Sequence, residues 1–315
     1  MSDRFRIAHH FAKDSVRALA DHPAIAELKQ IDLSRRWDLP TDVDIIFALH
    51  APLQSTEHDV PPPQGWPGSV RFVQTASSGT DGYPDWLFEG PIVATASGTG
   101  ASPIAEYALA AILMHEKRLP DMFLCEGEWT SQSELVSRPL GGLEGRTLGL
   151  LGLGQIGSRV GQLGAAFGMK VIAHRRSGAP SPSPDVALVD LNDLLARSDH
   201  LVIAAPLTEQ TAGIIGSAAF SRVKPNLHIV NVARGGIIDT DALTAALHEG
   251  RIAGATLDVT DPEPLPAGHP LWSAPNVRIT PHMAWSSADT PRRIFRLFIE
   301  NIERFARGEA LINQI

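Results

Sequence analysis

The run Leu150-Leu151-Gly152-Leu153-Gly154-Gln155-Ile156-Gly157 constrains this chain more than any other. Three glycines spaced G-x-G-x-x-G, between a strand-like and a helix-like stretch, specify a turn in which a helix N-terminus faces a phosphate group at close range. That is the turn that cradles a dinucleotide pyrophosphate, and it belongs to parallel sheets. About 18 residues past the last glycine, where such folds place a ribose-binding acid, the strand Lys170–Ala173 ends in His174-Arg175-Arg176. A carboxylate there would hold the ribose 2′-hydroxyl of NAD, whereas arginines accommodate the 2′-phosphate of NADP. The alternative for these arginines is solvated charge at a loop edge.

The surrounding sequence agrees with a sheet of that kind. Apolar strands are expected at Thr147–Leu153, Met169–Ala173, Val186–Val189, His200–Ala205, Leu227–Ala233, Gly254–Val259 and Val277–Thr280, with helical stretches between them. Ile156, Val160, Leu163 and Phe167 recur at helical spacing and should share one face of the first helix. Alternation of this sort implies a doubly wound parallel sheet covered on both faces. Upstream, Val43–Leu49 and Val70–Gln74 read as strands of a smaller α/β unit, and Pro61–Gly68 only as loop. Ser102-Pro103 offers an N-cap and a first-turn proline to a helix running to about Arg118, apolar around much of its circumference. An amphipathic helix spans roughly Ser287–Arg307. The expected division is residues 101–285 as a Rossmann cofactor domain, inserted in a substrate-binding domain of residues 1–100 plus 286–315.

With 315 residues, two cores are affordable. The net charge of −8 and a pI near 5.8 argue against a nucleic-acid or anionic-membrane partner. No stretch is apolar for the length of a membrane span, and the N-terminus has no apolar signal core, so a cytoplasmic protein is expected. The single cysteine, Cys125, reads as a small packed side chain. No HExxH or CxxC cluster is present, and no metal is expected.

Three segments add chemistry at successive strand ends. Asn231-Val232-Ala233-Arg234 ends with a guanidinium able to grip a carboxylate through two parallel hydrogen bonds. Leu257-Asp258-Val259 leads through a proline-bracketed loop to Glu263, and Ile279-Thr280-Pro281 leads to His282. Taken singly these are a surface arginine, a solvated glutamate and a core histidine. Three together at the carboxyl edge of one sheet converge on one cleft. Asp258 reads either as an acceptor near a nicotinamide amide or as a turn-capping aspartate.

With these motifs, and with Phe72–Asp81 and Ile104–Leu109, the chain resembles the D-isomer-specific 2-hydroxyacid dehydrogenase family over nearly all its length, within it the glyoxylate/hydroxypyruvate reductase branch. Glu263 and His282 stand 19 residues apart, as in that branch. The resemblance implies that backbone amides at Ser78 and Gly79 hold the substrate carboxylate together with Arg234, which also polarises the carbonyl. It makes His282 the general acid of reduction, with Glu263 fixing its tautomer and favouring its protonated form. It carries Leu153, Gly154, Gln155 and Ile156 to the pyrophosphate turn and His174, Arg175, Arg176 and Ser177 to the adenosine ribose. Pro206, Val232, Asp258 and Ala284 fall at the adenine and nicotinamide ends.

Trp285 departs from the family, many members of which carry a small residue there. It either narrows the substrate pocket, stacks near the nicotinamide or packs between domains. Trp129 is a candidate for an inter-subunit arm, and a homodimer built mainly through the cofactor domain and the segment around residues 101–145 is expected. The expected activity is reduction of small 2-oxoacids, glyoxylate and hydroxypyruvate, to D-2-hydroxyacids with NADPH preferred and NAD as the second cofactor. The alternatives are an NAD-linked dehydrogenase of another substrate and a non-enzymatic dinucleotide-sensing corepressor. Retention of Arg234, Glu263 and His282 opposes the last, because a sensor needs no proton donor.

Overall fold

The computed structural model describes residues 4–50, 59–122, 139–176 and 180–315. Its strands are β1 (Phe5–His9), β2 (Ile25–Gln30), β3 (Ile45–Ala48), β4 (Phe72–Thr75) and β5 (Ile92–Ala94), then β6 (Thr147–Leu151), β7 (Lys170–His174) and β8 (Val186–Leu188). They continue with β9 (His200–Ile203), β10 (His228–Asn231), β11 (Gly254–Leu257) and β12 (Val277–Ile279). The helices used below are α1 (Ala101–Glu116), α2 (Gln155–Ala166), α3 (Leu191–Arg197), α4 (Thr240–His248) and α5 (Thr290–Ala306). The chain forms two compact units, Met1–Thr99 with Ser287–Ile315, and Gly100–Ser286. Among the described residues no helix is long and apolar enough to cross a membrane.

In the first unit five parallel strands lie in the order β2-β1-β3-β4-β5. Strands β3 and β4 are buried along their whole length, which explains why their apolar runs were readable. The apolar pattern alone does not pick out β1, β2 or β5. The edge strand β2, Ile25-Ala26-Glu27-Leu28-Lys29-Gln30, is mostly solvent-facing, and β5 has only three residues, so neither carries a clean period. One face of this sheet is covered by α5, whose Phe298 and Ile302 are fully buried with Phe5, Ile7, Phe47 and Phe72. Buried Asn301 donates to Gln74 Oε1 at 2.8 Å and accepts from the Ile312 amide at 2.8 Å, so the helix is also pinned by polar bonds.

The second unit holds seven parallel strands in the order β12-β11-β10-β9-β6-β7-β8. The order reverses between β6 and β9, the crevice where doubly wound sheets take their ligands, and the glycine turn follows β6 there. Helices α1 and α2 share a core with β6, β7 and β10 that includes Ala105, Ala108, Ile112, Val160 and Val230. Two expectations are corrected. Helix α1 starts at Ala101 behind Gly100 with no side-chain cap, not at Ser102; Pro103 fits inside its first turn because amides there have no intrahelical partner. Phe167 ends α2 and is 47% exposed, while Ile156, Val160 and Leu163 pack on the core as expected; Gly157, Gly161 and Gly164 are buried beside Val160 and let the helix lie close to the sheet.

At the amino ends of the strands, His200 opens β9, His228 opens β10, and α1 contributes His115. The His115 and His228 rings stack at 4.1 Å, 4° from parallel. His200 Nε2 and Glu116 Oε1 pair at 3.1 Å, and His228 Nε2 and Thr256 Oγ1 at 3.0 Å. The Nδ1 atoms of His200 and His228 are buried with no hydrogen-bond partner among the described residues.

Candidate active site

The glycine turn is built for close approach of a ligand. Gly152 has φ +100°, and a Cβ there would come within 2.6 Å of the Ala205 amide nitrogen. A Cβ on Gly157 would lie 2.2 Å from the Gly152 carbonyl oxygen, so the first turn of α2 sits directly on the strand end. A Cβ on Gly154 would instead meet open space, and no side chain caps the amides of α2 that follow it. An anion at these amides is the usual solution for such a helix start, so the residues fit a dinucleotide pyrophosphate. The Gly152 amide donates to the His174 carbonyl at 2.9 Å, tying the turn to the end of β7.

There Arg175 donates to the Pro180 carbonyl at 3.2 Å and Arg176 to Gln210 Oε1 at 3.3 Å, both exposed. His174 faces the Val189 carbonyl through Nδ1 at 3.2 Å. Leu153, Val232 and Ala284 are buried; Gln155 and Pro206 are exposed, and Ile156 is partly buried against the α1–α2 core. Ser177 lies outside the described residues, as do Cys125 and Trp129.

The ends of β10, β11 and β12 carry the reactive types. Asn231 clasps the turn after β10, donating to the Arg234 carbonyl at 2.9 Å and accepting from the Ala233 amide at 3.1 Å. That fixes the backbone of half-buried Arg234, whose Nη1 donates to the Ala233 carbonyl at 2.7 Å. His282 Nδ1 and Glu263 Oε1 stand 2.7 Å apart, so the carboxylate fixes Nδ1 as the protonated nitrogen and leaves Nε2 for a reactant. His282 itself has φ +55°, rare for a residue with a Cβ and a mark of a backbone held by its surroundings.

Asp258 supplies much of that hold. It is buried, and its Oδ1 accepts from Thr280 Oγ1 at 2.6 Å and from the Met283 amide at 2.9 Å, while Oδ2 accepts from the Ala284 amide at 2.9 Å. Its carbonyl accepts from the His282 amide at 2.9 Å. These bonds have the geometry of a turn-capping aspartate. Trp285, 41% exposed, folds back to donate its indole N–H to the His282 carbonyl at 2.9 Å, a role none of the sequence alternatives included. Two residues the sequence reading passed over join the site. Thr280 sits in the quoted Ile279-Thr280-Pro281-His282 run, and Tyr107 Oη reaches it from α1 at 2.7 Å.

Ser78 and Gly79 lie in the first unit, in the loop after β4. Hydroxyls brace that loop: Thr75 Oγ1 donates to the Ser77 carbonyl at 3.0 Å, and Ser77 Oγ to the Gly79 carbonyl at 2.7 Å. Among the described residues, no three His, Cys, Asp or Glu side chains are placed to hold a metal.

The family model described as D-isomer specific 2-hydroxyacid dehydrogenase, NAD binding domain, matches residues 109–284, more than half of the chain. A glyoxylate reductase of Aeropyrum pernix is 38% identical over 234 residues, covering 72% of this chain and 70% of the relative. A hydroxypyruvate reductase of Blautia hydrogenotrophica is 29% identical over 274 residues, 85% of this chain and 83% of the relative. A solved D-isomer specific 2-hydroxyacid dehydrogenase from Xanthobacter autotrophicus Py2, in complex with NADPH and MES, superimposes with a TM-score of 0.78 at 28% identity, over 99% of this chain and 98% of the other. Glycine turn, paired histidine and full-length likeness together identify an NAD(P)-dependent dehydrogenase: the chain belongs to the D-isomer-specific 2-hydroxyacid dehydrogenase family.

Proposed function

We propose that this enzyme reduces small 2-oxoacids, glyoxylate and hydroxypyruvate foremost, to 2-hydroxyacids of the D series where the product is chiral, with NADPH as the preferred cofactor. The observation that carries the reading is the 2.7 Å His282–Glu263 pair on the same sheet as a glycine turn fitted to a dinucleotide. Leu153–Ile156 would hold the pyrophosphate; His174, Arg175 and Arg176 the ribose with its 2′-phosphate; Pro206, Val232 and Ala284 the flanking rings. The cofactor, when bound, supplies the hydride.

The rest falls to this chain's own residues. Arg234 takes the substrate carboxylate and polarises the carbonyl. The proton reaches the carbonyl oxygen from His282 Nε2, while Glu263 keeps the ring oriented and balances the charge on it. Holding the carbonyl carbon and the acid at reacting distance is a large part of such a rate enhancement. The NADPH preference rests on Arg175 and Arg176, because charge-assisted bonds to a phosphate contribute about 1.5–3 kcal/mol each when well formed, less at an exposed site.

A panel of 2-oxoacids against NADPH and NADH, followed by absorbance, tests the reading. Turnover of glyoxylate or hydroxypyruvate with NADPH favoured about 10–10³-fold in kcat/KM is expected. Binding of NADPH without turnover of any 2-oxoacid would overturn it, and equal efficiency with both cofactors would overturn the arginine assignment. We propose further that the chain works as a homodimer, on the family likeness and the long apolar helix α1; sedimentation at micromolar concentration showing monomer alone would exclude it.

A further inference from the structure

The left-handed backbone at His282 persists because the surrounding bonds leave it no alternative. Its amide is shared between the carbonyls of Asp258 at 2.9 Å and Thr280 at 3.0 Å, and the next two amides, Met283 and Ala284, point at the Asp258 carboxylate. Thr280 Oγ1 stands between two oxygens, Asp258 Oδ1 at 2.6 Å and Tyr107 Oη at 2.7 Å. A threonine hydroxyl has one proton to give, and an ionised carboxylate can only accept. The Thr280 proton therefore goes to Asp258, and Thr280 accepts from Tyr107. The result is a one-way chain of donors, Tyr107 to Thr280 to Asp258, that starts on α1, passes through the loop carrying His282 and ends just past β11. Burial pushes the pKa of the Tyr107 phenol up, so it keeps its proton, and its donor role, at neutral pH.

We propose that Tyr107 is a positioning residue for the reaction: through Thr280 and Asp258 its hydroxyl fixes the loop that sets the reach of the His282 imidazole. The inference rests on His282 being the proton donor. A general acid acts only within hydrogen-bond reach of its target, so a loosened loop lowers the rate of the chemical step without changing the groups that bind the substrate carboxylate. Removal of the acid itself costs about 10²–10⁴, and a loosened acid should cost a part of that, about 5–50-fold.

Three single variants and one double variant test this. Tyr107→Phe removes only the phenol oxygen, Thr280→Val replaces the hydroxyl by a methyl, and Thr280→Ser keeps the hydroxyl. With glyoxylate and NADPH, Tyr107→Phe and Thr280→Val should each lower kcat about 5–50-fold, with KM for glyoxylate held within about threefold. Thr280→Ser should stay within about threefold of the parent, and the double Tyr107→Phe/Thr280→Val should be no slower than Thr280→Val, because both cut one chain.

Amide hydrogen exchange reads the loop without turnover. Peptides covering residues 280–286 should exchange about fivefold faster in Tyr107→Phe, with the β6–α2 turn unchanged. Unchanged kcat and exchange in Tyr107→Phe, or losses that multiply in the double variant, would overturn the proposal. A parent enzyme silent toward every 2-oxoacid would instead overturn the functional reading, and the exchange comparison would still decide whether Tyr107 holds the loop.

Discussion

His282, the proposed proton donor, shows how much of such a residue's geometry lies outside its ring. The imidazole is paired with Glu263 at 2.7 Å, and the backbone beneath it is bent into a conformation that costs a non-glycine residue on the order of 1–3 kcal/mol. His282→Ala should therefore cut kcat by roughly 10²–10⁴ with the fold intact by circular dichroism. Arg234→Lys should not restore what Arg234→Ala loses, because an ammonium cannot reproduce the two-pronged grip on a carboxylate; steady-state kinetics on the pair checks this. Replacing both Arg175 and Arg176 with alanine should raise KM for NADPH and leave that for NADH nearly unaltered. His282, Glu263 and Arg234 stand out in the sequence as candidates because each is a chemistry-bearing type placed shortly past a strand. Tyr107 does not, since its partner Thr280 lies 173 residues away and both read as ordinary polar positions of a helix and a strand end. Trp285 was visible as an anomaly, but an indole folded back onto the His282 carbonyl depends on a backbone turn that sequence spacing does not encode.

At the level of elements, the parallel strands of the second unit were readable because burial on both faces demands continuous apolar runs, and the helical stretch expected between β10 and β11 is α4, Thr240–His248. What the pattern hid is the polar content at the strand starts. His115 and His228 are held well toward the neutral form, chiefly by burial, and in the first unit burial likewise pushes His10 down to about 4. These rings gain protons more readily in the unfolded chain, near the ordinary value of 6.5, than in the folded one. Stability is then independent of them above about pH 7 and falls as the pH drops below 6.5 toward the folded values. Glu116 is held below its ordinary 4.5, chiefly by the His200 bond, so its contribution is lost only at lower pH and does not mask the histidine effect. Urea unfolding at pH 7.5 and at pH 5 should show a loss on the order of a few kcal/mol at the lower pH. A midpoint that stays flat over that interval would contradict the burial of these rings.

Over the whole molecule, two compact units with sheets of different strand order share one chain, yet only the second unit is made from one unbroken segment. Residues 287–315 return to the first unit and cover its sheet with Phe298 and Ile302, both fully buried. Truncating a buried phenylalanine or isoleucine costs about 2–5 kcal/mol, and a domain's entire stability is only about 5–15 kcal/mol. A chain ending at Ser286 should thus keep residues 100–286 resistant to limited proteolysis while residues 4–99 are digested; protection of both stretches would refute this. The same discontinuity orders events during synthesis. The segment that binds the dinucleotide is complete before α5 has left the ribosome, so the nascent chain can bind the dinucleotide while its first-made strands still wait for the helix that closes their core.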